Sequence, residues 1–177
     1  MSLADKLNPD EKRALMQIKI RETIATHGVF IQGVFPTEES PGVPFAYSVE
    51  IPTTVPGAAE LIVLGLDPTT GAEIINSVVD RLKEGETLAD GQQVEGLIER
   101  FALAFRAVAR QHYDGYVGAA QRYHQSRNEW PLLQIVWPDT KGRFPWQDGF
   151  EERFRDKQPL LFKQEQSDRG PTSVAPQ

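Results

Sequence analysis

A chain of 177 residues that is 40% hydrophobic and 25% charged has the size and composition of one globular domain that needs no metal or disulfide to fold. It contains no cysteine, which excludes thiol catalysis, zinc–thiolate sites and structural disulfides, and its net charge of −6 argues against nucleic-acid binding. No apolar run approaches the roughly 20 residues of a membrane span and the N-terminus lacks the apolar core of a secretory signal, so we expect a cytoplasmic protein without membrane contact.

The first part of the sequence predicts one helix followed by three strands. Asn8, Pro9 and Glu11 are typical of an N-cap, a first-turn proline and a capping acid, and they begin a helix that we predict over about 9–26. Three strands rich in β-branched and aromatic residues are predicted next, over 29–35, 45–51 and 60–66. The third is apolar enough to lie at the centre of a sheet.

The second part continues with a capped helix over 68–84 and a polar loop over 86–96. An ambiguous segment over 101–109, a further helix over 113–125 and a last strand over 131–137 follow. In the ambiguous segment, the alternation of Phe101, Leu103 and Phe105 favours a strand, whereas the alanines between them favour a helix. We take the strand.

This order of elements favours an α+β fold. We predict a single domain with a mainly antiparallel sheet of about five strands and two or three helices packed on one face. The chain divides into an N-terminal helix extension over 1–27, the α+β domain over 28–160 and a polar, flexible C-terminal tail over 161–177.

The segment from Trp137 to Trp146 is the most informative stretch for function. Its two indoles could stack on a base, a sugar or a peptide ring, while Lys141 or Arg143 meets an anionic group. The alternatives are structural. The indoles could close one end of the core, and Asp139 could bond the backbone two residues on, as aspartates in turns commonly do.

His112 is the candidate for catalysis. It stands beside aromatic residues and an acid near the start of a predicted helix, and imidazole titrates close to neutral pH. It could act as a general acid or base, or it could be a structural histidine at the helix start. We assign Tyr47, Tyr113 and Tyr116 to the same ligand-binding surface.

Gln134 lies in the middle of a hydrophobic strand. A buried amide needs hydrogen-bond partners, so Gln134 is either a pocket contact or a member of a polar network. Ser48 lacks a Gly-x-Ser-x-Gly context, and we interpret it as an ordinary strand residue. Metal-ligand spacing is absent among His27, His112 and His124, and no phosphate-binding glycine loop occurs, so no metal or cofactor is expected.

Four blocks of the sequence resemble a known family: Gly28 with the strand that follows it, 45–49, 60–66 and 133–146. The last contains the distinctive pattern Trp-Pro-Asp-x-x-Gly-Arg-Phe-Pro-Trp, and the stretch from His112 to Gly118 fits a middle block. Over about residues 20–150 the chain is similar to a bacterial family catalogued as domain of unknown function 4262. One departure is Ala59, where similar proteins have proline. The resemblance implies a bacterial or phage origin and one small domain; it implies no activity, so no residue role is carried over.

The residues favour a binding module for a small polar or anionic ligand, nucleotide-like or a metabolite. The ligand would lie between the Trp137–Trp146 segment and the helix after His112. Two alternatives stay open: an enzyme that uses His112 as acid or base, and a protein inhibitor or defence-associated protein with exposed tryptophans in its interface. The sequence also leaves a homodimer open.

Overall fold

A computed structural model describes residues 6–125 and 129–162, and within these ranges six strands form one sheet flanked by helices. The strands are β1 (Phe30–Val34), β2 (Phe45–Val49), β3 (Glu60–Leu64), β4 (Gln93–Val94), β5 (Leu103–Ala107) and β6 (Leu132–Val136). The α-helices are α1 (Pro9–His27), α2 (Ile51–Thr54), α3 (Pro68–Lys83), α4 (Tyr113–Tyr116) and α5 (Gly118–Tyr123), and 3₁₀ helices span Arg110–His112 and Glu152–Lys157.

The sheet is mainly antiparallel, which confirms the α+β class. Its strand order is β1-β2-β3-β6-β5-β4, and neighbouring strands are antiparallel except β3 and β6, which are parallel. The described residues contain six strands rather than about five, because Gln93 and Val94 of the predicted loop pair with β5. The ambiguous segment is a strand, β5, as predicted.

Helices cover both faces of the sheet, not one face as predicted. Helix α3 packs its apolar side, including Ile75, on the face that carries Leu61, whereas Ile20 of α1 and the α4–α5 region pack on the face that carries Ile62. Leu61 and Ile62 are both completely buried. Adjacent strand residues point to opposite faces, so a central strand such as β3, with four successive apolar residues after Glu60, needs a cover on each side.

Helix α1 begins and ends as its sequence predicts. The Asn8 side chain accepts a hydrogen bond from the Glu11 N–H at 2.9 Å, and the Glu11 carboxylate accepts one from the Asn8 N–H at 2.9 Å. At the other end Gly28 adopts φ +82° and donates to the Ile24 carbonyl at 2.7 Å. This left-handed conformation carries little strain in glycine, and it ends the helix at His27.

The helix predicted over 113–125 is instead two short helices, α4 and α5. The break lies at Val117, with φ −117° and ψ 45°, between two glycines that weaken a continuous helix. The bend buries Val117 completely and leaves the first N–H groups of α5 without partners in their own helix. The Tyr47 hydroxyl accepts one of them, from Ala119 at 3.3 Å.

Two other segments differ from the sequence prediction or extend beyond it. The predicted loop after β2 contains the short helix α2. Residues 163–177 of the predicted flexible tail lie outside the described residues. The first two tail residues pack on the domain: Leu161 is buried, and Phe162 forms an antiparallel bridge with Val108.

Candidate functional site

Trp137 is part of the core beneath α3. Only 9% of it is exposed, and its indole N–H donates to the Leu64 carbonyl at 2.7 Å. The Gln158 side chain binds the Trp137 backbone on both sides, accepting from its N–H and donating to its carbonyl, each at 2.9 Å. The indole therefore closes the core, which is the structural alternative considered for it.

Asp139 organises the loop that follows. Its carboxylate accepts hydrogen bonds from the N–H groups of Lys141 and Arg143, each at 2.9 Å, and from that of Glu151 at 3.1 Å. The Arg143 guanidinium adds an ion pair at 3.0 Å. Burial acts to raise the pKa of Asp139, but these hydrogen bonds outweigh it and lower the pKa from 3.8 to about 2. Arg143 is thus paired inside the loop, while Lys141 is exposed.

Trp146 lies on the other face of the sheet from Trp137. Its ring stacks on Phe144 with 5.1 Å between centroids and an interplanar angle of 9°, and Phe144 packs on Val136. Val136 and Trp137 are successive residues and point to opposite faces. Although Trp146 is 42% exposed, the two indoles do not converge on one ligand.

The predicted tyrosines and His112 lie on this second face, within a packed aromatic cluster. Phe45 connects Tyr47 and Tyr116, with ring centroids 6.2 Å and 5.4 Å away, and the His112 ring lies 6.4 Å from that of Tyr116. Tyr47 is buried, and burial raises its pKa. Tyr113 is also buried, and its hydroxyl donates to the Trp130 carbonyl at 3.2 Å. Burial raises the pKa of Tyr113 as well.

Gln134 is a member of a polar network. Its amide nitrogen donates to the Pro159 carbonyl at 2.8 Å, and its oxygen accepts from the Leu161 N–H at 2.8 Å. The side chain is completely buried. It fastens the segment after the last 3₁₀ helix to the sheet.

A buried polar cluster was missed by the sequence analysis. The Glu60 carboxylate accepts hydrogen bonds from the Ser48 hydroxyl and, at 2.5 Å, from the Glu50 N–H, and it lies 3.0 Å from the His124 imidazole. Ser48 and Glu60 are completely buried and His124 nearly so. A signal was present in the sequence, because Glu60 is an acid that opens an otherwise apolar strand.

The order of the groups in this cluster differs from that of a catalytic triad. In a Ser-His-Asp triad the histidine lies between the serine and the acid, whereas here the acid Glu60 lies between Ser48 and His124. The Ser48 oxygen also accepts from the Leu61 N–H at 2.8 Å. Among the described residues, no group of three or more acids and histidines is arranged to hold a metal. The cluster holds β2 and β3 together where Glu50 adopts φ +93°.

A partly enclosed cavity lies on the α3 face, where three segments meet. This seam hollow has a volume of about 170 Å³. Leu61, Leu82 and Leu133 line it from β3, α3 and β6, and residues 55–59 and 86–88 form its walls. None of the residues that the sequence singled out for binding or catalysis lines it.

A wider groove of about 440 Å³ lies between the ends of α1 and α3, over β1. Its floor is apolar, with Val29 and Val79, and its rim carries His27, Asp80 and Lys83. The charged rim residues are exposed. This outer groove is therefore more open to solvent than the seam hollow.

Comparison with known proteins places this fold in a family. Residues 23–151 match the family described as "Domain of unknown function (DUF4262)". The outer groove begins at the start of this range, and the seam hollow lies entirely within it. No curated protein and no solved structure matches the chain. In the part of the chain that the structure describes, no helix has the length and apolar character to cross a membrane.

Proposed function

Since the chain belongs to the DUF4262 family, whose description names no activity, we propose from the geometry that it is a binding module for a small molecule, with the apolar part of the ligand in the seam hollow. The observation that carries this proposal is a partly enclosed cavity with a leucine floor and loop walls. Small-molecule sites are typically concave and mostly apolar with a few polar groups at the edge. Loops on a rigid scaffold commonly supply such walls.

The size of the hollow limits the group that it holds. Apolar cavities of about 150 Å³ are large enough for benzene, and the seam hollow measures about 170 Å³. Leu61 is completely buried, and Leu82 and Leu133 are less than a tenth exposed, so the floor is rigid core. A ring or a branched alkyl group fits, whereas a whole nucleotide does not.

The sequence explains why the hollow is not filled. Helix α3 covers β1, β2 and β3, while Leu88, Val94 and Leu97 of the following segment, which includes β4, pack on the rest of this core. The two covers meet at the end of α3. Gly57, Ala58 and Ala59 form the remaining side of the hollow. These residues are too small to fill the space between α3 and the segment that follows it.

Binding is favoured over catalysis by the lining itself. Glu86 and Thr87 supply its polar side chains, and no histidine lies among the described residues that line it. The described lining therefore lacks the paired serine or cysteine and histidine of the common nucleophilic sites. His112, the catalytic candidate, lies on the opposite face of the sheet.

The test fills the hollow and asks whether binding is lost. Benzyl alcohol is titrated while the methyl NMR signals of Leu61, Leu82 and Leu133 are followed. We expect saturable shifts with a Kd on the order of 1 mM for a ligand of this size. The variant Ala58→Phe should abolish them, and Ala102→Phe, at a half-buried alanine outside the hollow, should not.

Two results would contradict the proposal. One is a linear, non-saturating response of the native protein. The other is unchanged saturation in Ala58→Phe, whose folding is checked by circular dichroism. If that variant does not fold, Ala59→Leu fills the same wall with a smaller side chain and replaces it.

A further inference from the structure

We infer that the ligand of the seam hollow is an amine, with its apolar body on the leucine floor and its ammonium group at Glu86. The inference rests on the proposed function and adds the charge class of the ligand. Among the described residues that line the hollow, Glu86 is the charged one. A carboxylate at the edge of an apolar cavity favours a cationic head group and opposes an anionic one.

Glu86 is available for a ligand. Its partner within the protein is Arg81, at 3.9 Å, and the Glu86 side chain is 52% exposed. An ion pair of this length and exposure contributes little, because solvent screens it. A ligand ammonium can therefore replace the arginine at small cost, and it keeps part of its hydration at the mouth of the hollow.

The end of α3 adds to the same preference. Leu82 lies in the last turn of α3, where the backbone carbonyls give the helix end a partial negative charge. Of the two cations of that turn, Lys83 lines the outer groove, and Arg81 forms the solvent-screened contact with Glu86 described above. No cation is among the described residues that line the hollow, so the weak contact with Arg81 is the one that a ligand ammonium has to displace.

These features disfavour an anionic ligand in this hollow, one of the two classes, polar or anionic, that the sequence favoured. The cations behind that expectation, Lys141 and Arg143, lie in the loop that Asp139 organises and do not line the hollow. The net charge of −6 also disfavours an anion. An amine with a ring or a branched alkyl group matches both the volume and the charge.

The experiment compares three probes that share one ring: benzylamine, benzyl alcohol and benzoate. By the same NMR titration, the native protein should bind benzylamine about fivefold more tightly than benzyl alcohol, and benzoate most weakly. Glu86→Gln should remove the preference for benzylamine. Glu84→Gln is the matched control, since it removes the same charge at an exposed position two residues away that does not line the hollow.

The outcomes separate this inference from the proposed function. If benzylamine and benzyl alcohol bind equally tightly in the native protein, the amine inference is wrong and the binding hollow stands. If none of the three probes saturates, both fall. If Glu84→Gln removes the preference as fully as Glu86→Gln, the effect is one of overall charge and the assignment to Glu86 is overturned.

Discussion

Single side chains hold the Trp137–Trp146 segment in shape, and Asp139 does most of this. Three backbone N–H groups and one guanidinium converge on its carboxylate. Such donors stabilise the ionised form, which is why the pKa of Asp139 falls to about 2. A group with a depressed folded-state pKa contributes stability above its unfolded pKa and loses it as pH falls through the folded value.

We therefore predict a pH-dependent difference between the native protein and Asp139→Asn. The native protein should be more stable by a constant amount above about pH 5, and this advantage should shrink between about pH 4 and pH 2, where the unfolded carboxyl takes up its proton first. Urea unfolding at a series of pH values measures it. The control variant Asp148→Asn changes an exposed carboxylate of the same loop. It should still lose stability over this pH range, because Asp139 is intact. A difference that stays constant down to pH 2 would contradict the prediction.

The buried cluster shows which single-residue contacts a sequence conceals. Glu60 and His124 are 64 residues apart, and no spacing rule connects them. Ser48 could be interpreted as an ordinary strand residue because its neighbours gave no sign that Glu60 would lie opposite. The same holds for Gln134. Its need for partners was evident from the sequence, but the identity of Pro159 and Leu161 was not.

At the scale of elements, features set by neighbouring residues could be predicted, whereas features set by tertiary contacts could not. The start of α1 at Asn8 and of α3 at Asp67 could be predicted because a cap bonds within the next three residues. The two-residue strand β4 exists through pairing with β5, and the α4–α5 break buries Val117 against the sheet. Both depend on distant residues, so the local pattern gave the wrong result.

The junction between β3 and α3 yields a prediction. Gly65 has φ +85°, and a Cβ there would lie 2.1 Å from the Lys157 carbonyl oxygen. Gly65→Ala should therefore cost the roughly 1–2 kcal/mol of a left-handed alanine plus the displacement of the 3₁₀ segment, about 3 kcal/mol or more in total. Urea unfolding measures the loss.

Gly91→Ala is the matched control for this change. Gly91 has φ +86° with no atom within 4 Å of the added Cβ, so it should show the conformational cost alone. Equal losses in the two variants would mean that the close approach of the chain at Lys157 is not maintained in solution.

At the scale of the whole molecule, the class of fold followed from the order of elements, whereas the hollow did not. A strand with four successive apolar residues, as in β3 after Glu60, indicates burial on both faces, but the number of helices on each face depends on the path of the chain. The seam hollow arises where the end of α3, the segment 55–59 and the segment 86–88 meet. The hollow exists because the side chains of one wall are too small to fill it. No sequence motif predicts such a gap.

The last prediction concerns whether α1 belongs to the cooperative fold. Ile20 precedes residue 23, where the family match begins, yet it is completely buried with Phe30 and Tyr47. Ile20→Ala should therefore cost about 2–5 kcal/mol, as in a core. Ile18→Ala, on the same helix at a side chain that is 51% exposed, should change stability by no more than about 0.5 kcal/mol. Thermal and urea unfolding of the full chain compare the two. Similar small effects would show that α1 unfolds independently of the sheet, whereas a single transition shifted by Ile20→Ala alone would make the helix part of the domain core.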